Sequence, residues 1–218
     1  MVANCLTTLF PVLTSVTTST IASNTTTIKI IEVPAIQSKS SSRNFRAAQP
    51  VHFYRRSQAS WSFDASSASQ VFSKVSDLSL GVHHTVPMIY KIHFQGSCLL
   101  NVINGRGFIR ILIDNNVLNL NRLMPNTDRR ATLASQMGLN LGQVDAQGGS
   151  FFHSGSATWV CASCAKTDVV LLSPGTHIID VGLRTDNPTA RIHGGELVVE
   201  MTEYDPSVHF GFQYATVL

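Results

Sequence analysis

The chain has 218 residues, carries a formal net charge of +3, and only 13% of its side chains are charged. That length suits one β domain of roughly 160 residues plus an extension. The sparse charge leaves a surface rich in Ser, Thr and Asn that repels its neighbours weakly, which favours oligomers over a solitary monomer. No run of 18 apolar residues occurs, so a membrane-spanning helix is excluded.

Charge divides the chain near residue 60. Residues 1–60 hold six basic side chains against Glu32 alone, a net of +5, whereas residues 61–218 hold 10 basic and 12 acidic ones, a net of −2. We therefore read 1–60 as an arm with linker and 61–218 as the domain. Leu6 to Ala22 is apolar and Thr-rich, but no Lys or Arg precedes it and Pro11 interrupts it, which departs from the pattern of a secretory signal. Residues 25–33 are β-branched, alternate in part and end at Pro34, as an edge or added strand should. Ile28, Ile30, Ile31 and Val33 are the apolar residues such a strand would offer a neighbour. Ser38 to Ser42, with Lys39 among them, has too little apolar content to offset its own ordering entropy. Such a tether spans on the order of 15 Å when extended, enough for the arm strand to add to a neighbour's sheet edge. Pairing within its own chain is the competing reading.

The domain's strands come at regular intervals. Met88, Tyr90, Ile92 and Phe94 alternate with Ile89, Lys91, His93 and Gln95, a half-buried strand of period two. Phe108 to Ile113 is a second, closed by the turn cluster Asp114-Asn115-Asn116. Arg122 to Gln147 is polar and turn-rich, with one short helical turn expected over Thr132 to Met137. Phe151 to Val160 contributes one or two strands, with Gly155 marking a turn.

The stretch from Val169 to Tyr204 is the most informative. Val169–Leu172 runs into Ser173-Pro174-Gly175, followed by His177–Arg184 and, after Asp186-Asn187-Pro188, by Ala190–His193 and Glu196–Met201. Gly194-Gly195 between the last two is a hairpin signal, because the favoured two-residue turns need positive φ. A closing strand is expected over His209 to Ala215. Connections this short leave no room for crossover helices, so the fold class is all-β, an antiparallel sandwich of jelly-roll type with an N-terminal extended arm. Its expected core is Tyr90, Ile92, Phe94, Ile111, Trp159, Leu171, Ile179, Val181, Leu183, Leu197 and Val199.

The turn Ser173-Pro174-Gly175-Thr176-His177, the alternating strand after it, Ala190-Arg191-Ile192 and Gly194-Gly195-Glu196-Leu197 together resemble the last hairpins of TNF/C1q-like jelly rolls. Phe210-Gly211-Phe212 is similar to their aromatic C-terminal strand. The match covers roughly residues 60–218 and is strongest over 169–204. The collagen-like stalk and membrane anchor found in that setting are missing from this sequence. The resemblance implies trimers or higher assemblies that bind partners without catalysis.

The chemistry-bearing motifs are weak. Cys161-Ala162-Ser163-Cys164 is a lone CxxC; a zinc site needs a second ligand pair, so these two are read as a loop disulfide or as two reduced thiols. The histidines (His52, His83, His84, His93, His153, His177, His193 and His209) are scattered. His83 and His84 point to opposite faces of a strand, and no HxH or HExxH appears. Gly148-Gly149-Ser150 lacks the second Gly of a nucleophile elbow, and Gly105-Arg106-Gly107 is a turn between strands and not a phosphate loop. No catalytic, cofactor or metal residue is assigned. Asn24-Thr25-Thr26 is a glycosylation sequon, relevant to a secreted chain. Arg43, Arg46, Arg55 and Arg56, interleaved with Phe45, His52, Phe53 and Tyr54, could neutralise phosphates while the aromatics stack on bases, or could contact a neighbouring subunit.

These readings converge on a non-enzymatic, structural or partner-binding subunit that self-assembles, its arm contributing inter-subunit contacts. A viral coat protein with a basic arm is the alternative, and a secreted metal-dependent lectin-like module a second. The partner expected first is another copy of the chain, with nucleic acid less favoured, in an extracellular or virion-associated setting.

Overall fold

The computed structural model describes residues 51–65, 68–186, 189–207, 209 and 211–218. The chain divides into Met1–Ala47 and Ala48–Leu218, and every described residue belongs to the second unit. The expected arm strand with Ile28, Ile30, Ile31 and Val33, and Arg43 and Arg46 after it, lie outside the described residues.

The unit is a sandwich of two sheets. One, sheet A, is formed by β1 (Val51–Ser57), β11 (Ala190–Glu203), β4 (Met88–Leu100) and β9 (Val160–Leu172) in that order, with β2 (Ser62–Ala65) beside β1 on the same strand β11. The other, sheet B, runs β12 (Thr216–Val217), β7 (Arg122–Pro125), β6 (Asn116–Asn119), β5 (Arg106–Ile113), β10 (Gly175–Thr185), β3 (Ser73–His84), with β8 (Ser150–His153) also on β5. Consecutive strands alternate between sheets over much of the chain, and among the described strand pairs only β12 with β7 is parallel. This is the all-β jelly-roll sandwich that the strand spacing predicts.

Alternation places the core. Tyr90, Ile92 and Phe94 of β4, Leu197 and Val199 of β11, Ile111 of β5 and Ile179, Val181 and Leu183 of β10 all point between the sheets and are buried. Leu171 is buried too, while Trp159 is 57% exposed. It precedes β9 in an irregular segment that has no inward face. β5 is buried on both faces: Ile109, Ile111 and Ile113 meet the sandwich core, and Phe108, Arg110 and Leu112 point away from it. That second face is roofed by Phe72 and by an insertion carrying α1 (Arg129–Gln136) and α2 (Leu141–Ala146). α1 contains the expected helical turn; α2 opens on a capping box in which Asn140 and Gln143 satisfy each other's backbone N–H. Gly182 of β10 lets the roof close, since a Cβ there would lie 2.3 Å from Leu112 Cδ1 and 3.0 Å from Phe72 Cβ.

Three local expectations are corrected. Gly194-Gly195 is not a hairpin: β11 runs through it, and the register against β4 slips between His193 (opposite Ser97) and Glu196 (opposite Gln95). Gly194 at φ 57 absorbs one extra residue as a bulge, which Gln58 braces through its own backbone N–H to the Gly195 carbonyl at 2.8 Å. Among the described residues of 209–215 no closing strand forms: Gly211 at φ 82 departs from extended backbone, and Tyr214 makes an isolated bridge to Leu171 before β12. Cys164 bonds Cys98, not Cys161. Cys161 and Cys164 sit three residues apart on β9, roughly 10 Å along a strand, and a disulfide needs Cα atoms within about 7 Å. Cys98, on the neighbouring β4, meets that condition at 5.8 Å. Cys161 is itself disulfide-bonded.

Candidate functional site

Among the described residues, β1 forms one edge of sheet A. His52-Phe53-Tyr54 are strand formers, and all seven residues of β1 pair with β11, from Val51 opposite Thr202 to Ser57 opposite Glu196. Yet every one of the seven is exposed. A sandwich strand normally buries one face, whereas the inner face of β1 meets β3 of sheet B across an open cleft. The strand lies before residue 60, inside the segment that charge alone assigns to the arm.

Its two faces differ. Val51, Phe53 and Arg55 share the outer surface with Thr202, Glu200 and Val198, where Arg55 Nη2 lies 2.5 Å from Glu196 Oε2 and Lys91 Nζ 3.3 Å from Glu200 Oε2. Phe53 is 67% exposed, and Trp61, its ring 5.4 Å from that of His193 and tilted 46° to it, is 77% exposed. Of the candidate cationic contacts, Arg55 is thus committed to an ion pair and Arg56 is exposed on the same strand. His52 and Tyr54 face inward, opposite Met201 and Val199, and border a cleft of about 230 Å³ with His84, Met88 and Glu203.

An aromatic cluster floors that end of the sandwich. The His84 ring lies 5.6 Å from Tyr90 and 5.3 Å from His177. His84 Nδ1 donates to the Val86 carbonyl at 2.6 Å, and its Nε2 is buried without a partner. Burial lowers the His84 pKa below the ordinary histidine value, with the Val86 carbonyl opposing and His177 and His83 adding to the effect. Burial likewise pushes the Tyr90 hydroxyl up, reinforced by Asp114. His177 meets Asp114 Oδ2 at 2.7 Å through Nδ1 and the Ser173 carbonyl at 2.9 Å through Nε2. As β3 alternation requires, His83 is exposed and His84 buried. Among the described residues, no group of three or more His, Cys, Asp or Glu is arranged to hold a metal ion.

Sequence reasoning notices Phe53 and Tyr54 but not the strand that carries them, and it misses Trp61. It also misses a buried cluster of Arg110, Arg130, Arg184 and Asp145 behind sheet B. The one visible signal is Arg110, a cation inside the apolar run of β5.

No family model matches the chain, and no curated protein matches it. Among solved structures it is similar to one titled "Structure of Eiger TNF from S. frugiperda", at 10% identity and a TM-score of 0.39, covering 74% of this chain and 98% of that chain.

Proposed function

We propose that this chain is a non-enzymatic, partner-binding jelly-roll subunit that assembles with copies of itself through the β1 edge of sheet A. One observation carries the reading: β1 is fully paired to β11, yet all seven residues are exposed, aromatic ones included. Exposed apolar side chains along a strand at a sheet edge are what an interface uses and what a solitary domain avoids. The sparse surface charge supports it, because little repulsion keeps neighbours apart. The resemblance of 169–204 to TNF/C1q-like domains supports a trimer or larger assembly. Residues 25–33 act here as an added strand, pairing with a neighbour's sheet edge. The Cys98–Cys164 bond, with Cys161 also bonded, supports an oxidising, extracellular setting.

The test is native mass by light scattering on the full chain, on Phe53→Glu and on a chain lacking residues 1–37. The full chain should run as an oligomer, Phe53→Glu as a smaller species with an unchanged circular dichroism spectrum, and the truncation likewise. A monomeric full chain overturns the proposal. Full assembly size in the truncation would leave the jelly-roll surface alone as the interface. An absorbance ratio typical of bound nucleic acid would favour a coat subunit instead.

A further inference from the structure

Behind sheet B, two guanidinium groups meet one carboxylate and a third lies beside them. Asp145 of α2 meets Arg130 Nε of α1 at 3.2 Å and Arg184 Nε of β10 at 2.6 Å, and all three side chains are at most 2% exposed. Arg110 of β5 donates to the Val144 and Gln147 carbonyls at the end of α2. The rings of Phe72 and Phe108 lie against the cations, at 4.8 Å from Arg130 and 4.3 Å from Arg184. Arginine keeps its charge on burial, so Arg110, Arg130 and Arg184 against Asp145 and Asp186 leave a surplus of +1 in a water-poor site. Burial pushes the Asp145 carboxyl up while Arg130, Arg184 and Arg110 pull it back.

Arg184 carries that surplus to a surface opening. It lines a cleft of about 490 Å³ together with Ser69, Gln70, Arg106, Asn140 and Asp186. Its Nη1 donates to the Ser69 carbonyl at 3.0 Å and to Asp186, while its Nη2 is buried without a partner. Asp186 also meets Arg106 Nη2 at 2.6 Å. At the mouth, Arg184 and Arg106 share Asp186, so the four guanidiniums and two carboxylates of cluster and mouth together carry +2. Such an array favours a planar or tetrahedral oxyanion held bidentately.

We propose that this cleft binds a small molecule bearing a phosphate or carboxylate group, on Arg184 and Arg106, with Asp186 as the internal competitor that the ligand displaces. A volume of this size accommodates a small polar metabolite and not a polymer.

The experiment is calorimetric titration of the full chain with inorganic phosphate and with citrate, against sodium chloride at matched ionic strength. One of the two oxyanions should bind at least tenfold more tightly than chloride, which also identifies the class of group preferred. Arg106→Gln should weaken binding at least tenfold. Asp186→Asn should strengthen it several-fold by removing the competitor, an outcome that simple loss of fold cannot imitate. Arg106 is half exposed, so its variant should melt like the parent. Binding of both oxyanions no tighter than chloride overturns the proposal, as does binding unchanged in both variants.

Discussion

Replacing Cys98 and Cys164 together by Ala should destabilise the domain by about 4 kcal/mol. The bond joins β4 to β9 across a sequence separation of 66 residues. Closing a loop of that length removes roughly 15 cal/mol/K from the unfolded chain, which is about 4 kcal/mol at 25 °C. Both sulfurs lie in the main core, where Cys98 is fully buried and Cys164 nearly so, and truncation to Ala adds a small cavity cost of the same sign. For a domain of this size each kcal/mol moves the melting temperature by about 2–4 °C, so the double variant should melt about 8–16 °C lower. Circular dichroism melts with urea titration at fixed pH read the difference, and a non-reducing peptide digest of the parent reads the pairing. A loss below about 1 kcal/mol would refute the constraint argument. A peptide joining Cys161 to Cys164 would refute the pairing itself.

Two further predictions concern the core's end and its bulge. The folded state holds the His84 pKa below its ordinary 6.5, so between those two values it binds fewer protons than the unfolded chain. Stability should be fully present above pH 6.5 and be lost as pH falls through that window. Urea midpoints at pH 7.5 and 5.5 should separate in the parent and converge in His84→Gln; equal separation in both would assign the dependence to another group. Gly194→Ala should cost about 1–2 kcal/mol, because the residue sits at φ 57 with open space where the methyl would go, leaving backbone strain as the sole cost. A neutral result would mean that the bulge relaxes into another register.

Period two makes β4 readable, because Tyr90, Ile92 and Phe94 are buried while Lys91 and Gln95 are exposed; β10 is buried on both faces from Ile179 to Thr185, and its readable signal is the alternate apolar set Ile179, Val181 and Leu183. β3 has the same period from Leu78 through Leu80 and Val82 to His84 and yet escapes the pattern reading. Asp77, at φ 65, inserts a bulge that puts Val75 and Leu78 three apart on the same face, and the alternation dissolves there. The Gly194 signal is real, since positive φ is needed; only its use differs, because a bulge and a two-residue turn ask the same conformation of glycine.

The two surfaces on which the proposals rest are hidden for different physical reasons. Arg110 is a cation in an apolar run, and its neighbours identify a buried face, but the neutralising Asp145 arrives from a helix 35 residues later and Arg184 from a strand beyond that. No spacing announces a partner that only the closed insertion brings into contact. β1 fails in the opposite way. A strand exposed on both faces imposes no alternation on its sequence, so His52-Phe53-Tyr54-Arg55-Arg56 reads as a basic aromatic linker. Its conformation follows from pairing to β11, and its composition from whatever covers it. If copies of the chain meet there, the aromatic residues of β1 are core residues of the assembly, and their pattern belongs to an interface that the sequence of one chain cannot display.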